Sequence, residues 1–118
     1  MSLDAHVLFR GIDPDKQNIL TDCLVSKHLG NIALVAFLRE QIGGLPVAES
    51  AFPIILKRVI HNGVHAGDEI PVCDVPQLKS ELLSLAKFNL DDAHVKKFVR
   101  DMSELCDASL STENPIVF

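Results

Sequence analysis

The residues with the most chemical potential lie in one short stretch near the middle of the chain. His61, His65 and Asp68 are followed closely by Cys73 and Asp74. Imidazole, carboxylate and thiolate groups are all zinc ligands, and two histidines four residues apart share one face of a helix. A small metal-dependent hydrolase using His61, His65 and Asp68 is therefore one function compatible with this stretch.

The spacing within the stretch argues against a metal site. Asn62 and Gly63 form a helix-ending pair between the two histidines, and no glutamate stands where an HExxH motif requires one. We therefore predict no metal and no cofactor. In a purely structural interpretation, the glycines let the chain turn while His61 and Asp68 form hydrogen bonds to loop backbone. In the functional interpretation, the stretch is an exposed recognition loop on a rigid scaffold. Its predicted partner-binding residues are His65, Asp68, Glu69 and Asp74.

Motifs for other chemistry are absent from the sequence. There is no GxSxG nucleophile elbow, phosphate-binding loop or GxGxxG. Cys106 lies on the apolar stripe of the last predicted helix, which is typical of a small core residue. We therefore predict no catalytic residue and a protein that is not an enzyme.

Composition limits the class of partner. The 118 residues carry a net charge of −5, and residues 60–118 hold ten of the 16 acidic residues but five of the 11 basic ones. This balance disfavours a nucleic-acid partner and suits a basic one. Three widely spaced cysteines indicate a reducing compartment. Because no long apolar stretch or signal-like start is present, we predict a cytoplasmic protein that does not enter a membrane.

The elements that must position these residues indicate an α+β fold, with about four helices packed on a small β-sheet in a single domain, residues 1–118. Residues 5–9 have the pattern of a strand, and residues 19–25 fit either a strand or the entry to a helix. The apolar tail at 115–118 fits a terminal strand or a packed arm. Helices are predicted at residues 32–42, 53–61, 77–88 and from 91 onwards.

Local signals refine these helices. Asn31 is suited to cap the first, and Gly43 to end it with a left-handed residue nearby. The second is expected to leave Lys57 and Arg58 towards solvent. Asp74 and Gln77 have the spacing of a capping box, and Asp91 and Asp92 suit the start of the last helix. On that helix, Asp101 and Glu104 are placed on the polar face, which is the second choice for an interface.

The first of these helices also bears on oligomeric state. Residues 32–38 are apolar all round, and a helix without a polar side must be covered on most faces. A domain of this size offers limited cover, so a second subunit is expected to supply part of it. We predict a symmetric homodimer.

The order of segments from about residue 30 onwards carries a resemblance. The segments are VAFLRE at 35–40, FPIILKRVI at 52–60, NGVHAGD at 62–68, LKSEL at 78–82 and NPIVF at 114–118. They resemble immunity proteins of bacterial polymorphic toxin systems, in the immunity protein seventy class. The resemblance implies a cytoplasmic α+β protein that binds and neutralises a cognate toxin without catalysis.

Three functions are therefore carried forward. The leading one is a non-enzymatic binding module of immunity type, which occludes a cognate toxin through the acidic loop. The second is a structural or regulatory homo-oligomer, and the third is the small metal-dependent hydrolase.

Overall fold

The computed structural model describes the chain in five stretches, residues 2–12, 19–46, 48–61, 68–88 and 91–118. Within them, helices cover one face of a four-stranded antiparallel sheet. The predicted α+β class is confirmed.

A long hairpin forms one half of the sheet, with β1 (Ser2–Ile12) paired to β2 (Ile19–Asn31). Leu3, Ala5 and Val7 of β1 are buried and alternate with partly exposed polar residues, as the period of two in a half-buried strand requires. The predicted first strand is therefore confirmed and is longer than expected. Residues 19–25, for which the sequence allows either a strand or the entry to a helix, form part of strand β2.

The other half of the sheet comes from two short strands, β3 (Glu69–Ile70) and β4 (Ile116–Val117). The strand order is β2-β1-β4-β3, so β4 lies inside the sheet and β3 at its edge. Ile116 is fully buried. The C-terminal tail is therefore a strand, and β2 and β3 are the outermost strands of the described sheet.

Helix α1 (Ile32–Gly43) begins where the sequence predicts it. The Leu34 N–H donates a hydrogen bond of 2.9 Å to the Asn31 Oδ1, which is the expected cap. The expected left-handed residue at the other end is wrong: Gly44 has right-handed backbone angles, and its N–H donates to the Glu40 carbonyl at 3.0 Å.

Helix α1 is buried on one side only. Val35, Leu38 and Ile42 point into the core, whereas Ile32 is 68% exposed and Phe37 is half-buried. The expected cover of this helix on most faces included a second subunit, and the single chain by itself does not provide it. The predicted homodimer remains a prediction.

The helix predicted at residues 53–61 is present as a short π-helical segment, and a helix that the sequence does not predict precedes it. Helix α2 (Ala48–Ala51) lies before Pro53, and a π-helical segment (Ile55–Val59) follows it. Proline has no N–H to donate and its ring clashes with the preceding turn, which accounts for the break. With the two helices described next, the described chain has five helices rather than four, besides one 3-10 turn at Val72–Asp74.

Helices α3 (Val75–Lys87) and α4 (Ala93–Thr112) pack against each other. The Asp92 Oδ1 accepts hydrogen bonds from two backbone N–H groups in the first turn of α4, at 2.8 and 3.1 Å, so the predicted cap is confirmed. None of the described helices is both long and apolar enough to cross a membrane.

The predicted capping box at the start of α3 is wrong. The Asp74 side chain makes no hydrogen bond to the α3 backbone. It accepts instead from the Arg58 guanidinium, with 2.8 Å between Nη1 and Oδ2. The Gln77 Nε2 donates to the Glu81 Oε2 at 3.2 Å. A tertiary contact to Arg58 therefore replaces the cap at Asp74, and Gln77 contacts Glu81 within α3.

Cys106 is fully buried on α4, as predicted for a core residue. Burial, with a smaller contribution from the Asp107 carboxylate, raises the pKa of the Cys106 thiol to about 12.

Because the thiolate is the reactive form, we expect iodoacetamide at mildly alkaline pH to modify the exposed Cys73 of the native protein and leave Cys106 unmodified until urea unfolds the chain. Peptide mass mapping measures this. Equal rates at the two thiols in the native protein would contradict the burial.

Candidate functional site

Two of the four predicted partner-binding residues are exposed at one edge of the sheet. Glu69 begins β3 and Asp68 immediately precedes it, and both side chains are solvent-accessible. Asp74 is half-buried at the end of the 3-10 turn. His65 lies outside the described residues. We call Asp68 and Glu69 the acidic edge.

Arg58 holds the backbone of the acidic edge through its guanidinium group. Its Nη1 donates to the Asp74 Oδ2 at 2.8 Å, and its Nη2 donates to the Glu69 carbonyl at 3.0 Å. The expectation that Arg58 points only to solvent is wrong, because the π-helical segment directs it towards β3. Asp74 is occupied by this contact and serves to position Arg58.

Strand β4 fixes the acidic edge from the side. Glu69 pairs with Val117 and Ile70 with Ile116 in antiparallel register. The Phe118 N–H extends the ladder by donating to the Asp68 carbonyl at 2.9 Å. The backbone of both acidic residues is therefore held by hydrogen bonds while their carboxylates face solvent.

A small cavity of about 200 Å³ opens beside the acidic edge. It is lined by Lys57, Arg58, His61, Asp68 and Glu69. The His61 Nε2 lies 3.7 Å from the Asp68 Oδ2, and the Asp68 side chain is 54% exposed. Among the described residues, the Glu69 carboxylate forms no ion pair. The edge therefore keeps negative charge that a partner can contact.

The π-helical segment that carries Arg58 is held at both ends. At its start, the Ile54 and Ile55 N–H groups donate to the Glu81 Oε1 at 2.9 and 3.1 Å. At its end, the Arg39 Nη1 donates to the Ile60 carbonyl at 3.1 Å. Glu81, on α3, thus caps a helix in another part of the chain.

Glu81 is a buried carboxylate, 2% exposed. Burial raises its pKa above the ordinary value of 4.5, although its hydrogen bonds from Ile55, Gln77 and Ile54 act in the opposite direction. Sequence reasoning missed its role. A signal was present, because Glu81 lies three residues after Leu78 and four before Leu85, on the apolar stripe of α3.

The open face of the sheet carries a second polar group that sequence reasoning missed. The Asp4 Oδ1 lies 2.7 Å from the His28 Nδ1, and the His6 Nδ1 lies 2.8 Å from the Ser26 Oγ. Each is a directly paired position of β1 and β2. The alternation along β1 places Asp4 and His6 on one face, but pairing with β2 needs the register that only the structure supplies.

Asp101 and Glu104, the second choice for an interface, are both occupied. Asp101 is 5% exposed rather than on the polar face, and its Oδ2 accepts from the Lys97 Nζ at 2.7 Å. Glu104 forms an ion pair with Lys27 of β2. Glu104 therefore attaches α4 to β2, whereas the Asp101 carboxylate is paired within α4.

No three His, Cys, Asp or Glu side chains in the described stretches come together in a way that could hold a metal ion. His61 and Asp68 do meet, but His65 is outside those stretches. The metal-dependent hydrolase therefore stays untested.

Comparison with protein-family models, with curated proteins and with solved structures finds no match for this chain.

Proposed function

We propose that the chain is a non-enzymatic binding module of immunity type, which acts in the cytoplasm by occluding a cognate bacterial toxin. The observation that carries the proposal is the acidic edge. Asp68 and Glu69 present exposed carboxylates from a strand that is fixed by β4 and by Arg58.

The fixed backbone favours binding because less conformational entropy is lost when a partner docks on ordered residues. Three contacts order this short strand: the ladder to β4, the Phe118 N–H and the Arg58 guanidinium. A free loop of the same sequence would lack this advantage. Although β3 has only two residues, these contacts therefore make the acidic edge ordered enough to suit recognition.

Charge selects the chemistry of the partner. The chain has a net charge of −5, and the two carboxylates of the acidic edge lie at its surface. Complementary charge accelerates encounter with a cationic surface. In this proposal, the toxin presents lysine or arginine side chains to Asp68 and Glu69, and apolar contacts around them hold the complex.

The test uses the product of the gene that neighbours this one as the candidate toxin. Expressed alone in a bacterial host, it is expected to stop growth, and co-expression of this chain is expected to restore growth. The double variant Asp68→Lys with Glu69→Lys should lose the rescue. Its association with the purified candidate should be at least tenfold slower at low salt, and the difference should shrink as salt rises.

A matched control carries the same change in charge elsewhere. Asp91→Lys with Glu113→Lys alters two exposed carboxylates that are not part of the acidic edge, and it should keep both rescue and association rate. A neighbouring product that is neither toxic nor bound contradicts the proposal. So does unaltered binding by the folded Asp68 and Glu69 variant. Unfolding of that variant would instead make the acidic edge a structural feature.

A further inference from the structure

We propose that a second copy of this chain pairs with the part of the hairpin that continues beyond its pairing with β4. We call this part, residues 8–12 of β1 with 19–23 of β2, the hairpin arm. This surface is not the exposed side of α1, on which the sequence-based prediction of a homodimer rests. The proposal does not depend on the existence of a toxin.

Among the described residues, no third strand pairs with the hairpin arm. In the described sheet, β4 pairs only with His6 and Val7 of β1, and β2 is an outermost strand. The arm continues for five register pairs, from Leu8 with Cys23 to Ile12 with Ile19, a length of about 17 Å. A two-stranded ribbon is marginally stable by itself in water.

The composition of the hairpin arm is that of covered strands. Six of its ten residues are apolar: Leu8, Phe9, Ile12, Ile19, Leu20 and Cys23. Apolar strands with unpaired edges are sites of association with other chains. Arg10 and Asp22 give the arm no net formal charge, so two arms meet without the repulsion that the charge of the whole chain would produce.

The surface area of the protein supports one missing partner. The chain exposes 6945 Å², whereas a monomer of its mass exposes about 6,300 Å². The excess of roughly 600 Å² is close to the ~800 Å² that each partner contributes to a standard interface. The shape agrees, because the molecule measures 54 × 28 × 22 Å and its radius of gyration is 15.1 Å, against about 13.5 Å for a compact domain.

The geometry selects a symmetric pair formed along β2. Two antiparallel copies of one edge strand satisfy each other's backbone groups around a two-fold axis. Near the other end of β2, the Lys97 Nζ already donates to the His28 carbonyl at 3.2 Å, so the partner is expected to pair with the arm rather than with that end. The acidic edge lies on the opposite side of the sheet and stays accessible in the dimer.

The test is the oligomeric state of the full chain, measured by sedimentation at micromolar concentration. The wild type is expected to be a dimer. Thr21 lies in the middle of the arm strand of β2, close to the expected two-fold axis, so Thr21→Lys and Thr21→Glu should each weaken dimerisation at least tenfold through repulsion of like charges. An equimolar mixture of the two variants should dimerise again. The matched controls Ser84→Lys and Ser84→Glu change an exposed position of α3, and they should remain dimeric.

A wild-type chain that is monomeric at micromolar concentration overturns the proposal. Two variants that both remain dimers overturn it as well, and would move the interface to a surface such as the exposed side of α1 around Ile32. Hydrogen exchange of the wild type gives an answer even where a variant fails to fold. Amides of residues 19–23 should become at least tenfold more protected on going from a dilute to a concentrated sample, and equal protection overturns the proposal.

Discussion

Glu81→Leu is expected to lower the free energy of unfolding by roughly 2–4 kcal/mol. The substitution removes the acceptor of two buried backbone donors, the Ile54 and Ile55 N–H groups. Each buried donor left without a partner costs about 1–3 kcal/mol, and release of the buried charge of Glu81 offsets part of this. Urea denaturation followed by circular dichroism measures the change.

Glu81→Gln is the matched control because the amide keeps an acceptor oxygen and removes the charge. The Gln77 amide can rotate to pair with the new NH2 group. We expect this variant to keep wild-type stability or exceed it at neutral pH. If Gln destabilised the protein as much as Leu, the charge rather than the hydrogen bonds would be the stabilising feature, and the proposed cap would be wrong.

The pH dependence of this comparison has a definite sign. Burial raises the pKa of Glu81 above its ordinary value of 4.5, so folding favours the protonated form. The ionised form therefore reduces stability progressively as the pH rises from the ordinary pKa through the raised one. The wild type and Glu81→Gln should have similar stability in acid, and Gln should gain relative to the wild type towards neutral pH. The opposite slope would mean that the hydrogen bonds outweigh burial.

Local exchange rates distinguish this cap from general core packing. The π-helical segment carries Arg58, which reaches both Asp74 and the Glu69 carbonyl. Loss of the cap should therefore accelerate hydrogen exchange at Ile55–Val59 and at Glu69–Ile70 before it does so in α4. Glu81 is thus a positioning residue for the acidic edge.

Periodic patterns explain which elements could be predicted from the sequence. The apolar residues of α3 and α4 repeat over three or more turns, and β1 alternates over several residues, so their existence follows from pattern alone. Strands of two residues carry no period. The apolar tail indicated burial of Ile116, but nothing local could show that it lies between β1 and β3.

The candidate site shows the same limit. Asp68 and Glu69 stood out because acidic residues lie beside glycines in one stretch, and their exposure agrees with a recognition surface. Arg58 is 16 residues from Asp74 and has the pattern of an exposed helix residue. The helix start at residue 53 follows from the sequence, but the separate α2 and the cap from Glu81 depend on packing between distant parts of the chain. Residue spacing along the sequence does not predict contacts of this kind.

Ile116→Ala is expected to lower the free energy of unfolding by about 2–5 kcal/mol, the range for truncation of a large aliphatic side chain in a packed core. Ile116 is fully buried, and its strand joins β1 to β3 through register pairs with Val7 and Ile70. The substitution therefore weakens packing where the acidic edge is attached. Urea denaturation gives the loss, and hydrogen exchange at Ile70 should rise more than at residues in the middle of α4.

Val117→Ala is the control in the same strand, because its side chain is only half-buried, on the face opposite Ile116. It should cost less than about 1 kcal/mol and leave exchange at Ile70 near the wild-type rate. Equal costs for the two substitutions would contradict the register that places Ile116 in the core. If Ile116→Ala also slowed association with the candidate toxin while the protein remained folded, order in β4 would be a requirement for the acidic edge to bind, as the ladder from Val117 to Glu69 implies.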